Sequence, residues 1–221
     1  MTERETEQRS YYPAMLEVSD RHCLVVGGGP VAARKARGLI ECGASVTVIA
    51  PSLSDDMEAL TSLLHSVERR PYRVGDASGY RLVVTATGVP DVDGAVFTDG
   101  ETAGVWVNSA DDPAHCSLIL PAVHRDGAVT VSVSTGGLSP ALASWLRDEL
   151  AAWCGEGLGT LGQLLAEGRE RLRQAGARSD SVDWAGMLEG PLPELVRSGD
   201  MDGARAIVTA ATGSSPSEPP R

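Results

Sequence analysis

"HCLVVGGGPVAARKARGLIECGASVTVIAPS" spans residues 22–52 and decides the fold. His22–Val26 is a short apolar run of the kind buried in a parallel sheet. Three glycines follow, and Pro30 then falls where a first helical residue is expected, since its missing N–H costs nothing there. The spacing predicts a helix to about Cys42, with Gly43 as its left-handed cap. Ala32, Ala33, Ala36, Leu39 and Ile40 fall on its sheet-facing side, and Arg34, Lys35 and Arg37 face solvent or a ligand. A second apolar run, "SVTVIA", follows at once, giving β-α-β with a right-handed crossover.

Outward from this unit the alternation continues. "SDDMEALTSLLH" reads as a helix, "SVERRPY" as a modest strand and "YRLVVTATG" as a strong one. "PDVDGAVFTDGE" reads as a weak helix and "GVWVNSA" as a further strand. Alternating strands and helices predict an α/β fold, a Rossmann-type doubly wound parallel sheet. Near Cys116 the character changes. "SLILPAVHRDGAVTVSVST" is two apolar runs joined at Arg125-Asp126-Gly127, a hairpin signal. A helix opening at Ser139-Pro140 follows, and the remainder is helical. The expected division is a Rossmann domain over 1–116, a β-hairpin and helix unit over 117–153, a small all-helical domain over 154–212, and a disordered tail over 213–221.

Gly27, Gly29 and Ala32 fit G-x-G-x-x-A between strand and helix. The first glycine permits the turn, the second admits a pyrophosphate to the backbone, and the small third residue lets helix and strand pack closely. The helix N-terminus then offers free N–H groups to the phosphates. The acid expected about twenty residues on, to grip a ribose, is missing. Ala50, Pro51 and Ser52 stand there, and no arginine invites a 2′-phosphate, so the residues alone leave NAD against NADP open.

The net charge is −11, from 19 basic and 30 acidic residues, which argues against a nucleic-acid surface. No run reaches the eighteen or so apolar residues needed to span a bilayer. "MTERETEQRS" is no signal peptide, and the four cysteines show no zinc-site spacing, which points to reduced thiols and a cytoplasmic location. Two further stretches carry polar chemistry. "VNSADDPAHCSLILPAV" begins where a strand ends and places Asn108, Asp111, Asp112 and His115 at the carboxyl edge of the sheet, where ligands of such folds bind. A carboxylate there serves either as a general base or merely to start the turn before Pro113. "VSVSTGGLSP" sets Ser134, Thr135 and two glycines ahead of a helix, either to hold a carboxylate or as a plain N-cap.

These pieces, in this order, resemble the precorrin-2 dehydrogenase/sirohydrochlorin ferrochelatase family, whose module also forms the N-terminal part of fused siroheme synthases. The resemblance is dense from Tyr12 to Leu150 and rests on the N-x-x-D-x-P and S-[ST]-G-G-x-S-P elements beside the glycine turn. It implies NAD as cofactor, oxidation of precorrin-2 to sirohydrochlorin, and in many members insertion of ferrous iron to give siroheme. It further implies a homodimer built on the hairpin and helix. Asp111 matches the family's acid/base aspartate, Asn108 a substrate-site asparagine, and Thr135 a position where some members carry serine. Pro30, Val31, Pro51 and Ser52 match cofactor-lining residues beside Gly27 and Gly29. No cluster of His and Cys stands at ligand spacing, so no dedicated metal site is expected; the missing ribose acid is shared by relatives of the family. A polycarboxylate substrate needs local cations, for which Arg34, Lys35, Arg37 and Arg125 are candidates. Two other readings use the same motifs. One is an NAD-dependent dehydrogenase of another substrate, and the other a non-enzymatic NAD or redox sensor, which leaves N-x-x-D-x-P unexplained.

Overall fold

The computed structural model describes residues 10–213. The expectations for the charged N-terminus and for most of the tail fall outside them. Within them the chain forms two compact units. The first runs as far as Leu120 and takes in Gly136–Leu138, and the second holds Pro121–Thr135 and the residues from Ser139 on.

The first unit opens with β1 (His22–Val26), α1 (Pro30–Glu41) and β2 (Ser45–Ile49). Gly43 has φ +78, and its N–H and that of Ala44 donate to the carbonyls of Ile40 and Leu39, closing the helix as the sequence predicts. After a short helix, α2 (Asp55–Glu58), come β3 (Ser66–Glu68), β4 (Leu82–Thr85), α3 (Pro90–Ala103) and β5 (Trp106–Ser109). The five strands are parallel, in the order β3-β2-β1-β4-β5. The order reverses between β1 and β4, so the crevice for a ligand opens at the carboxyl ends of those two strands.

Alternate side chains leave the sheet on opposite faces. Val25, Val46, Val48 and Val84 pack under α1 against Ala32, Ala33 and Ala36, all buried. Leu24, Val26, Ile49, Val83 and Val107 pack with Val96 on the α3 side. Helix α1 meets the sheet through alanines, which keeps its N-terminus close to the glycine turn.

The helix expected over "SDDMEALTSLLH" is shorter than the periodicity implies. It stops after Glu58 and gives way to a 3₁₀ turn at Thr61–Leu63. Thr61 Oγ1 donates to the Glu58 carbonyl at 2.7 Å, which diverts an acceptor from the helical ladder.

The second unit contains the hairpin β6 (Ala122–Asp126) and β7 (Val129–Val133) with α4 (Pro140–Cys154). The two-residue turn is Gly127-Ala128, so Asp126 closes β6 instead of forming the turn. Its carboxylate accepts the Gly157 N–H at 3.0 Å, ahead of α5 (Leu158–Gln174). α6 (Trp184–Glu189), α7 (Leu192–Ser198) and α8 (Met201–Gly213) complete the unit around Leu164, Leu192, Ala204 and Val208. Hairpin and helices therefore form one unit, where the sequence division drew a border at Cys154. The other border also moves, because the N–H groups of Ser117 and Leu118 both donate to the Val107 carbonyl. Among the described residues, no helix is long and apolar enough to cross a membrane.

Candidate active site

The three glycines have three different reasons. Gly27 has φ +123, and a Cβ there would lie 2.4 Å from the Ala86 carbonyl oxygen. A Cβ on Gly28 would lie 2.0 Å from the Ser52 carbonyl oxygen. The loop after β2 is seated on Gly28, whose carbonyl accepts the Ser54 N–H at 2.8 Å. Around Gly29, by contrast, a Cβ would meet nothing within 4 Å. Gly29 is the N-cap of α1, and no side chain caps the helix start. Open space beside uncapped N–H groups is the cradle a phosphate group needs.

A cavity of about 550 Å³ runs over this turn. Gly27, Gly28, Gly29, Pro51 and Ser52 line one side, with Thr87, Val89 and Val92 across the switch point and Pro71-Tyr72 at its margin. Pro30 and Val31 are exposed on the first turn of α1. The Tyr72 hydroxyl donates to Asp99, whose carboxylate also accepts the N–H groups of Gly75 and Ala77. Burial, followed by Asp99, pushes the Tyr72 hydroxyl well above its ordinary range. Asp99 is lowered because these hydrogen bonds outweigh the opposing effect of burial. Tyr72 is thereby fixed at the margin of the cavity. Arg70, next to Pro71, is held by Glu68 and Asp76, with its closest nitrogen 2.6 Å from the Asp76 carboxylate.

Asp93 is a part of this site that the sequence reading missed. It lies on the first turn of α3 and is only 6% exposed. Its Oδ1 accepts from the Thr85 hydroxyl, from the Thr87 hydroxyl at 2.9 Å and from the Thr87 N–H at 3.3 Å. The Thr87 hydroxyl also accepts the Val89 N–H at 3.0 Å. One carboxylate therefore fixes the loop that walls the β4 side of the cavity.

Asp111 stands two residues beyond β5, at the same carboxyl edge of the sheet. It is exposed and has φ +59, a left-handed conformation that Asp tolerates better than most residues. Among the described residues, no hydrogen bond or ion pair engages its carboxylate. Its neighbours hold the loop instead. The Asp112 carboxylate accepts the Ala114 N–H at 3.2 Å and lies 2.6 Å from His115 Nδ1. That contact with His115 holds the Asp112 carboxyl below the usual carboxylate range. The His115 ring meets Phe97 of α3 edge to face at 5.4 Å. Cys116 is buried, and its sulfur accepts the Ser109 N–H and donates back toward that residue's carbonyl. Asn108 is buried too, and its side-chain N–H donates to the Leu118 carbonyl at 3.1 Å while its Oδ1 has no partner. Of the two adjacent carboxylates, Asp112 is committed to the loop and Asp111 is open to a ligand.

Lys35 on α1 is half-buried within electrostatic reach of Asp111. Burial and then Arg34 lower its pKa, against the opposing pull of Asp111 and Cys116. Arg34 and Arg37 are exposed on the same helix. In the second unit, Thr135 accepts the Ser139 N–H and donates to the Ser139 carbonyl, both at 3.1 Å. Ser139 in turn caps α4 by accepting the Leu142 N–H. Among the described residues, no group of three or more His, Cys, Asp or Glu side chains is placed to hold a metal ion.

Residues 14–122 match the family described as putative NAD(P)-binding, and residues 126–152 the family described as sirohaem biosynthesis protein, central. The siroheme synthase of Methylococcus capsulatus is 39% identical over 204 residues, which are 91% of this chain and 43% of that protein. The siroheme synthase of Nitrosomonas eutropha is 34% identical over 216 residues, 95% of this chain and 45% of its own. The chain thus spans less than half the length of these curated relatives. A solved structure titled "SirC, precorrin-2 dehydrogenase" superposes with a TM-score of 0.71 at 23% identity, covering 92% of this chain and 99% of that one. It shows the same fold.

Proposed function

We propose that this chain, which belongs over its matched residues to the siroheme synthase family, is an NAD-dependent precorrin-2 dehydrogenase that also inserts iron into its product. The observation that carries the reading is the unengaged Asp111 carboxylate at the sheet edge that also bears the glycine cradle. The cradle fits a dinucleotide. Gly27 and Gly28 allow the turn and the loop packing, the space at Gly29 takes the pyrophosphate, and Pro51 and Ser52 border the ribose through backbone and hydroxyl groups. Arg70 is already paired with Glu68 and Asp76, which favours NAD over a form with a 2′-phosphate.

Oxidation of precorrin-2 to sirohydrochlorin removes a hydride and a proton. Bound NAD supplies the hydride acceptor. Asp111 takes the proton, Asp112 and His115 hold its loop, and Asn108 keeps the following segment against β5. Lys35, Arg34 and Arg37 offer positive charge to substrate carboxylates. Ferrous iron then enters as a substrate. It displaces two pyrrole protons, which the same carboxylate can accept in turn.

The assembly that fits is a homodimer. Leu142, Trp145, Leu150 and Trp153 stand out from α4, with Trp145 57% and Trp153 83% exposed. That apolar stripe matches a second copy of itself across a two-fold axis.

The test is anaerobic incubation of the protein with precorrin-2 and NAD, following absorbance. Wild-type protein is expected to convert the substrate only with NAD present. Asp111→Ala should keep NAD affinity and lose roughly 10²–10⁴-fold in rate. Full turnover by Asp111→Ala would overturn the assignment of the base. Sirohydrochlorin with ferrous iron and no NAD tests the second step, and a rate equal to the uncatalysed background would limit the protein to dehydrogenation.

A further inference from the structure

We infer that the buried Asp93 carboxylate makes this site favour the oxidised dinucleotide over the reduced one. The inference rests on the NAD reading above and concerns a residue to which that reading gives no electrostatic role. Asp93 is 6% exposed, and among the described residues no lysine, arginine or histidine forms an ion pair with it. All three of its hydrogen bonds come from neutral donors: the Thr85 hydroxyl, the Thr87 hydroxyl and the Thr87 N–H. It is the acceptor in each, always through Oδ1. The Asp93 carboxylate is thus held by neutral donors alone, with no cation among the described residues paired to it.

The position of that charge gives it a function. The pyrophosphate belongs at the N-terminus of α1, and Ser52, after β2, marks the adenosine side. The other half of the dinucleotide must then cross the switch point onto the β4 side, which Thr87, Val89 and Val92 wall. The Thr87 hydroxyl that lines this half lies 2.9 Å from Asp93 Oδ1. A ring seated against that wall is one residue's thickness from the carboxylate. The nicotinamide ring is cationic when oxidised and neutral when reduced. Asp93 attracts the first and has no such hold on the second. The substrate form of the cofactor is thus bound more tightly, and transfer of the hydride cancels the attraction and loosens the product form.

At an effective dielectric of about 20 and a separation of about 7 Å, a full charge pair corresponds to a preference of some tens of fold, and partial screening leaves roughly tenfold. The experiment measures affinities of the full chain for NAD⁺ and NADH by calorimetry, without substrate, for wild type and Asp93→Asn. Asparagine keeps an Oδ1 acceptor for both threonines and removes the charge, with an amide N–H group in place of the second oxygen. Wild type is expected to prefer NAD⁺ by about tenfold or more, and the variant to lose most of that preference through weaker NAD⁺ binding. Equal loss for both forms, or an unchanged ratio, overturns the inference and leaves the cofactor reading intact. Binding of neither form by wild type overturns both. If Asp93→Asn does not fold, the wild-type ratio decides: a value near one, or a preference for NADH, overturns the inference, and a clear preference for NAD⁺ supports it.

Discussion

Gly28→Ala separates the folding role of the glycine turn from its binding role. The added Cβ would lie 2.0 Å from the Ser52 carbonyl oxygen and 3.0 Å from both Ala50 Cβ and Leu53 Cδ2. The nearest of these is backbone, so no rotamer change relieves the overlap. The loop after β2 must retreat by at least about 1 Å to reach an ordinary contact. Overpacking of this kind costs about 1–3 kcal/mol. The same retreat stretches the Ser54 N–H to Gly28 carbonyl bond, now 2.8 Å, and losing it adds about 1 kcal/mol. The sum is about 2–4 kcal/mol, a lowering of the melting temperature by roughly 5–15 °C for a chain of this size. Gly29→Val is the matched control. Its Cβ meets nothing within 4 Å, and its φ of −79 with ψ of 177 suits any residue. It should melt within a few degrees of wild type while losing at least tenfold in NAD affinity, about 1.4 kcal/mol. Thermal unfolding followed by circular dichroism, paired with NAD titration calorimetry, reads both quantities. A Gly28→Ala protein as stable as wild type would refute the seating of the loop on Gly28. A Gly29→Val protein with unchanged NAD affinity would refute the cradle.

Three further outcomes are expected. Asp112→Ala removes the cap on Ala114 and the anchor of His115, so turnover should fall with NAD affinity unchanged, yet by less than in Asp111→Ala; the reverse order would show that the wrong carboxylate of the pair was assigned as base. Trp145→Glu with Trp153→Glu should leave a monomer by light scattering at micromolar concentration, and an unaltered mass from a folded double variant would remove α4 from the interface. Asp76, with Arg70 as first cause, and Asp99 both have folded pKa values below their unfolded ones. The stability they contribute is complete above about pH 4 and is lost as pH falls through the folded values. Asp76→Asn should accordingly flatten the acid limb of a urea-denaturation series between about pH 4 and 2, and an unchanged limb would show that the Arg70 pair contributes nothing there.

The course of the first unit is legible in the sequence because local signals agree with one another. Apolar runs of strand length, Pro30 at a helix start and Gly43 at its end each have one cheap conformation, and the fold adopts all three. Where a side chain competes with the backbone the pattern misleads, as at Thr61, whose hydroxyl takes the Glu58 carbonyl and cuts short a helix that the spacing of Met57, Leu60 and Leu64 extends. The hairpin turn slips to Gly127-Ala128 because Asp126 is used as a strand residue, its carboxylate holding the Gly157 N–H thirty-one positions away. No local rule carries that information.

The candidate site divides along the same line. G-x-G-x-x-A announces a phosphate cradle, since backbone geometry alone makes it. It does not reveal that the middle glycine is the most confined of the three, because the atom confining it belongs to Ser52, on the far side of α1 and β2. Asp111 and Asp112 are equivalent as letters. They part only when Asp112 acquires Ala114 and His115 as partners and Asp111 is left in a left-handed conformation with its carboxylate unspent. Asp93 sits inside a weak helical pattern, where an acid in the first turn reads as ordinary complement to the helix dipole. The turn from β4 into α3 brings the Thr85 and Thr87 hydroxyls to it, so that its carboxylate is buried behind the wall of the crevice. What the letters alone withhold is which polar group each carboxylate meets once the loops are folded: Asp93 meets Thr85 and Thr87, Asp112 meets Ala114 and His115, and Asp111 meets no hydrogen-bond partner among the described residues.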